Sequence, residues 1–137
     1  MQQPDARALI ALAHEAARFS YSPYSGFPVG AALLCADGTI VQGANVENRS
    51  FGLANCAERS ALFAAVSQGK KAFTAIAVAC PHSEVPVSPC GACRQALSEF
   101  CPPEMPVYFA GKDGTHVETT IGGLLPHDSL HDLMKRG

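Results

Sequence analysis

From Pro4 to Phe19 the apolar residues Leu9, Leu12, Ala13, Ala16 and Phe19 recur at spacings of three and four, which predicts an amphipathic helix with one face turned to a core. Turn chemistry follows in Ser20-Tyr21-Ser22-Pro23-Tyr24-Ser25-Gly26. Val29 to Ala36 and Thr39 to Glu47, separated by Asp37-Gly38, then predict a β-hairpin. Asn55 stands where a helix cap is wanted, ahead of a helix carrying Cys56, Glu58, Leu62, Phe63 and Val66 and closing at Gly69. Phe73 to Cys80 is apolar without alternation, the pattern of a central strand covered on both faces. Ser88-Pro89 reads as cap and first position of a further helix through Cys93 and Leu97 to Phe100. Met105 to Ala110 and Thr115 to Thr120 are strands whose link, Gly111-Lys112-Asp113-Gly114, is too short for a parallel crossover, so they should pair antiparallel. Ile121 to Gly137 shows a Gly-Gly-Leu-Leu-Pro turn and no strong periodicity. The order α-β-β-α-β-α-β-β predicts an α/β fold, a five-stranded mixed sheet with helices on its faces.

Composition narrows the function. With 137 residues, 47% hydrophobic and 16% charged, the chain suits one domain. Ten Lys and Arg against twelve Asp and Glu give a net charge of −2, no field with which to hold nucleic acid. The longest apolar run, Val29 to Ala36, is far short of the roughly 18 residues that span a membrane. The polar opening Met1-Gln2-Gln3-Pro4-Asp5 is not a signal peptide, so a soluble cytoplasmic protein is expected.

Six cysteines then divide by context. Cys35 and Cys80 lie in apolar runs and Cys101 closes a helical pattern, which suits buried free thiols. Cys56, Cys90 and Cys93 lie in two short segments that look like helix starts. Cys90-Gly91-Ala92-Cys93 puts two sulfurs on one helix face, a spacing shared by redox and zinc sites. Cys56, 34 residues upstream, adds a third sulfur two positions before Glu58. The histidines His14, His82, His116, His127 and His131 are not at ligand spacing and read as solvent-facing. Three ligands with an open position is the arrangement of catalytic zinc, with Glu58 feasible beside it in a first helical turn.

Cys56-Ala57-Glu58 followed by Pro89-Cys90-Gly91-Ala92-Cys93 resembles the zinc signature of the cytidine deaminase superfamily, with Cys where many members carry His. Together with Phe27-Pro28-Val29-Gly30-Ala31-Ala32 and Asn45-Val46-Glu47-Asn48, the three-Cys form is similar to the short, homotetrameric nucleoside cytidine deaminases. The similarity runs from Tyr21 to Phe100, more weakly through Leu124-Leu125-Pro126. The resemblance implies a three-layer α/β/α cytidine deaminase-like fold over a single domain, residues 1–137. It also implies one Zn2+ per chain on Cys56, Cys90 and Cys93, a small nucleoside substrate, no nucleic acid or membrane partner, and a homotetramer. Glu58 would be the proton shuttle to N3 of cytosine and then to the departing amine. Arg59 would hydrogen-bond the ligand sulfurs, offsetting the net negative charge of three thiolates around one divalent ion. Asn45 and Glu47 would hold the ribose 3′-hydroxyl, Phe27 would pack against the pyrimidine, and the backbones of Ala57 and Ser88 would meet the base edge.

The sequence departs from that pattern in two places. Ser129 or Leu130 occupies the tail slot where the family usually places an aromatic, and Phe51 stands where Tyr is common. Three readings follow. One is deamination of cytidine and 2′-deoxycytidine in pyrimidine salvage. A second is deamination of a modified nucleoside or nucleoside-like antibiotic, and a third is a non-catalytic binding module stapled by zinc.

Overall fold

Asp5 starts the first helix, α1 (Ala6–Ala16), by accepting a hydrogen bond from Ala8 N at 2.8 Å on its carboxylate. Residues 5–130 are described by a computed structural model; Pro4 and His131 lie outside the described residues. Leu9, Ile10, Ala13 and Ala16 form the buried face of α1. Phe19, which the spacing places on that face, is 73% exposed. The helix tightens into a 3-10 turn over Ala17–Phe19, and three residues per turn rotate Phe19 off the stripe.

The sheet consists of β1 (Gly30–Cys35), β2 (Ile40–Ala44), β3 (Phe73–Ala79), β4 (Pro106–Ala110) and β5 (His116–Thr120). Their order in space is β2-β1-β3-β4-β5, with β3 in the middle. All neighbours are antiparallel except β3 and β4, where Ile76 faces Val107 and Ala79 faces Ala110 in parallel. That parallel pair needs a crossover, which α3 (Gly91–Phe100) supplies; α2 (Ala57–Ser67) joins β2 to β3.

Side-chain alternation along β1 divides the core. Ala31, Leu33 and Cys35 pack with Ala61, Leu62, Leu97 and Val107 under α2 and α3, whereas Ala32 and Leu34 pack with Leu9, Ile10, Ala75 and Ala77 under α1. The result is three layers, α1 on one face and α2 with α3 on the other, as the resemblance implies. Two glycines permit the close approach. A Cβ at Gly30 would lie 1.9 Å from Ala13 O of α1, and one at Gly43 would lie 2.5 Å from Ala61 N and 2.8 Å from Ala57 O of α2.

Helix starts differ from the pattern-based reading. Asn55 does not cap α2; its Nδ2 donates to Ser60 Oγ at 3.3 Å, and Cys56 takes the cap position. Ser88-Pro89 does not open α3 either. The helix begins at Gly91 with Cys90 at the cap, while Pro89 is buried and Ser88 Oγ accepts from Arg94 Nη2 at 3.0 Å. Gly69, at φ +90°, follows α2 in the left-handed conformation expected of it. A short helix, α4 (Ile121–Leu124), follows β5 where the sequence shows no periodicity, its start capped by Thr120 Oγ1 accepting from Gly123 N at 3.0 Å.

Candidate active site

The two helices that cross one face of the sheet begin at the same place. Cys56 at the cap of α2 and Cys90 at the cap of α3 bring their sulfurs to 3.7 Å, and Cys93, in the first turn of α3, sits 3.5 Å from Cys90. All three sulfurs lie within 4.8 Å of one another. A disulfide requires about 2.05 Å, so these are separate thiols. Thiolates on a tetrahedral zinc with Zn–S bonds of about 2.3 Å stand roughly 3.8 Å apart, close to what the chain presents. No fourth His, Cys, Asp or Glu joins the cluster among the described residues.

Local electrostatics favour thiolate at Cys56. Neither Cys56 nor Cys90 caps its helix through its side chain, so both positive helix termini remain directed at the cluster. The Cys93 thiol, then Arg59 and Cys90, hydrogen-bond Cys56 and hold it below the ordinary thiol range despite partial burial. Cys93 is pushed up by the same hydrogen bond to Cys56 and by its burial. Arg59 Nη2 donates to Cys56 Sγ at 3.3 Å, and the guanidinium is kept charged by that sulfur. The Arg59 Nε is buried with no acceptor among the described residues.

Glu58, the second residue of α2, is only 4% exposed. Burial raises its carboxyl above the usual carboxylate range, the property wanted of a group that must both take and give a proton near neutrality. It lines a cavity of about 420 Å³, within the size range of small-ligand pockets. Phe27, Asn45, Glu47, Cys56, Ala57, Arg59, Ser88 and Cys90 line the same cavity, while Cys93 is fully buried behind it. Cys80, at the end of β3, also lines it; burial raises its thiol to about 11.

Asn45 and Glu47 lie just beyond the end of β2 at Ala44, where the chain continues through Val46, bridged to Tyr21 in parallel and to Asn55 in antiparallel. Both fasten the turn that precedes β1. Asn45 Oδ1 accepts from Val29 N at 2.9 Å and from Ser20 Oγ, and its Nδ2 donates to Phe27 O at 3.0 Å. Glu47 Oε1 accepts from Tyr24 N and Ser25 N at 3.0 and 3.1 Å, and Oε2 accepts from Ser25 Oγ.

Sequence reasoning passed over one arginine. Arg94 of α3 donates through Nε to Pro89 O at 2.8 Å, through Nη2 to Ser88 Oγ and through Nη1 to Leu124 O at 3.0 Å. It thereby pins the segment leading into Cys90 against α4. Its place one residue after Cys93 is the only cue the sequence offers. Ser129 and Leu130 are exposed.

A family model for the cytidine and deoxycytidylate deaminase zinc-binding region matches residues 3–109. The chain belongs to that family. A cytidine deaminase of Sporosarcina psychrophila is 53% identical over 122 residues, 89% of each chain. One of Halalkalibacterium halodurans is 50% identical over 122 residues, 89% of this chain and 92% of that protein. Among solved structures, cytidine deaminase from Burkholderia pseudomallei superposes with a TM-score of 0.86 at 46% identity, covering 90% of this chain and 98% of that one. Zinc is thus the metal of this deaminase family, and the donor set suits it: three soft sulfurs at tetrahedral spacing, with an arginine to offset their charge.

Proposed function

We propose that this deaminase hydrolyses cytidine and 2′-deoxycytidine to uridine and 2′-deoxyuridine with release of ammonia, in cytoplasmic pyrimidine salvage. The unit would be the whole chain as one domain with one Zn2+, assembled as a homotetramer. The observation that carries this reading is the buried Glu58 carboxyl on a ligand-sized cavity that Cys56 and Cys90 also line, with Cys93 clustered behind them.

Cys56, Cys90 and Cys93 would hold the ion. Zinc in such a site supplies Lewis acidity that lowers the pKa of water towards about 7. Glu58 accepts the proton of the attacking water and hands it to N3 of the base as oxygen adds to C4. It then carries a proton to the exocyclic nitrogen, which leaves as ammonia while the C4 carbonyl forms. The raised affinity of Glu58 for a proton suits both transfers. Arg59 steadies the charge of Cys56.

Phe27 and the backbones of Ala57 and Ser88 frame the base, and Asn45 with Glu47 takes the sugar. The inventory of hydrogen bonds supports a single hydroxyl there. Asn45 spends both carbonyl positions and one amide hydrogen on the protein, and Glu47 accepts three bonds of about four possible. One donor and one acceptor remain, the complement of one hydroxyl group. The 3′-hydroxyl is common to both substrates. Assembly is supported by large apolar side chains left open beside the cavity, Phe51 at 77% and Leu53 at 70% exposure.

The decisive experiment follows ammonia release from cytidine by purified, zinc-loaded protein, with Glu58→Gln alongside. The variant should retain zinc by elemental analysis and lose turnover by about 10²–10⁴-fold, the range of general acid–base assistance. Parental turnover in that variant would remove Glu58 as the shuttle. Turnover of other aminopyrimidine nucleosides but not of cytidine would overturn the substrate assignment.

A further inference from the structure

Ser25 has no place in the chemistry above, yet its hydroxyl sits between two residues that line the cavity. Oγ donates its one proton to Glu47 Oε2 and accepts from Phe27 N at 3.0 Å. The Tyr24 and Ser25 amides hold the other carboxylate oxygen, Oε1. Through Ser25 the carboxylate assigned to the sugar and the backbone amide of Phe27, the residue assigned to the base, are therefore joined by two consecutive hydrogen bonds. The same hydroxyl is the chief reason the Glu47 carboxyl lies below its usual range, so the group is a charged acceptor around neutrality.

We infer that Ser25 is a positioning residue for sugar recognition, its hydroxyl leaving Glu47 Oε2 one acceptor position and fixing that position relative to Phe27. The inference rests on the reading that Asn45 and Glu47 hold the 3′-hydroxyl. Ser25 acts through Glu47 and has no contact of its own with substrate in this scheme. Without the hydroxyl, Oε2 gains a second open acceptor site, which water fills and which the arriving sugar must displace or share. The Phe27 amide loses its acceptor at the same time. The penalty falls on binding the sugar hydroxyl and not on proton transfer at Glu58, which is held by a different element.

The test compares kcat/KM for cytidine and 3′-deoxycytidine on zinc-loaded parent, Ser25→Ala, Ser25→Thr and Glu47→Ala. In Ser25→Ala the preference for cytidine should fall by about tenfold, the worth of one well-placed hydrogen bond, through a raised KM for cytidine. Ser25→Thr keeps the hydroxyl and should restore the preference, which a merely steric role for Ser25 would not require. Glu47→Ala should erase the preference. If Glu47→Ala erases it while Ser25→Ala keeps it, the role of Ser25 is overturned and the sugar reading stands. If both variants keep it, the sugar reading fails as well. An equal loss on both nucleosides in Ser25→Ala would mark a general loosening of the turn and would also overturn the inference.

Discussion

The six cysteines occupy three physical situations, and their reactivity should follow. Burial raises the Cys80 thiol to about 11 and the Cys101 thiol to about 12, and raises Cys35 as well. A raised value means that thiolate, the nucleophile, is scarce until the pH approaches it. At pH 8 iodoacetamide should therefore leave these three unlabelled, whether or not metal is bound. The cluster should respond oppositely. Cys90 is exposed and Cys56 partly so, so stripping zinc with a chelator should open both to alkylation, read by peptide mass spectrometry, with Cys93 protected by its burial. At this scale the three clustered thiols and Glu58 were legible because they fall at two helix starts and their motifs resemble the family's zinc signature. Arg94 and Ser25 were not, because their partners are backbone atoms, a hydroxyl and a carboxylate that only folding brings near.

Among the elements, periodicity and most ends were legible, as at Phe100, Ala110 and Thr120; what was not was where the helices begin. Phe73 to Ala79 shows its burial on both faces in its composition, and β3 is indeed the middle strand. Helix starts were misplaced because polar residues before them, Asn55 and Ser88, satisfy other partners and leave the cap to cysteine. That leaves the helix termini free of side-chain competition at the point where sulfur charge gathers. The seating of α2 on β2 is the most demanding contact behind the site. A methyl at Gly43 would meet backbone atoms of Ala57 and Ala61, which cannot rotate away. Gly43→Ala should destabilise the fold by about 3 kcal/mol, at the upper end of ordinary overpacking. Denaturant titration measures this, and because Ala57 precedes Glu58, turnover should fall in the folded variant too.

For the molecule as a whole, the layer order places chemistry where two helix starts meet, and the cavity draws its walls from segments far apart in sequence: Phe27, Asn45, Glu58 and Ser88. The architecture was foreseeable, since the alternation of helices and strands admits few topologies. The exposed aromatic and aliphatic groups were not, because exposure of Phe19, Phe51 and Leu53 depends on which neighbours cover them. If the tetramer proposed above forms, light scattering coupled to size-exclusion chromatography should give four times the 14.3 kDa chain mass. Replacing Phe51 and Leu53 together by Ser should shift the elution towards smaller species.

The two cap cysteines are 34 residues apart along the chain, so an ion gripping both behaves as a detachable cross-link between them. Copies synthesised under metal starvation would lose that tether, and the segment before Cys90 would depend on the hydrogen bonds of Arg94 to hold it in place. The amount of enzyme surviving in a cell would then report its supply of the ion, quite apart from how many copies are catalytically competent.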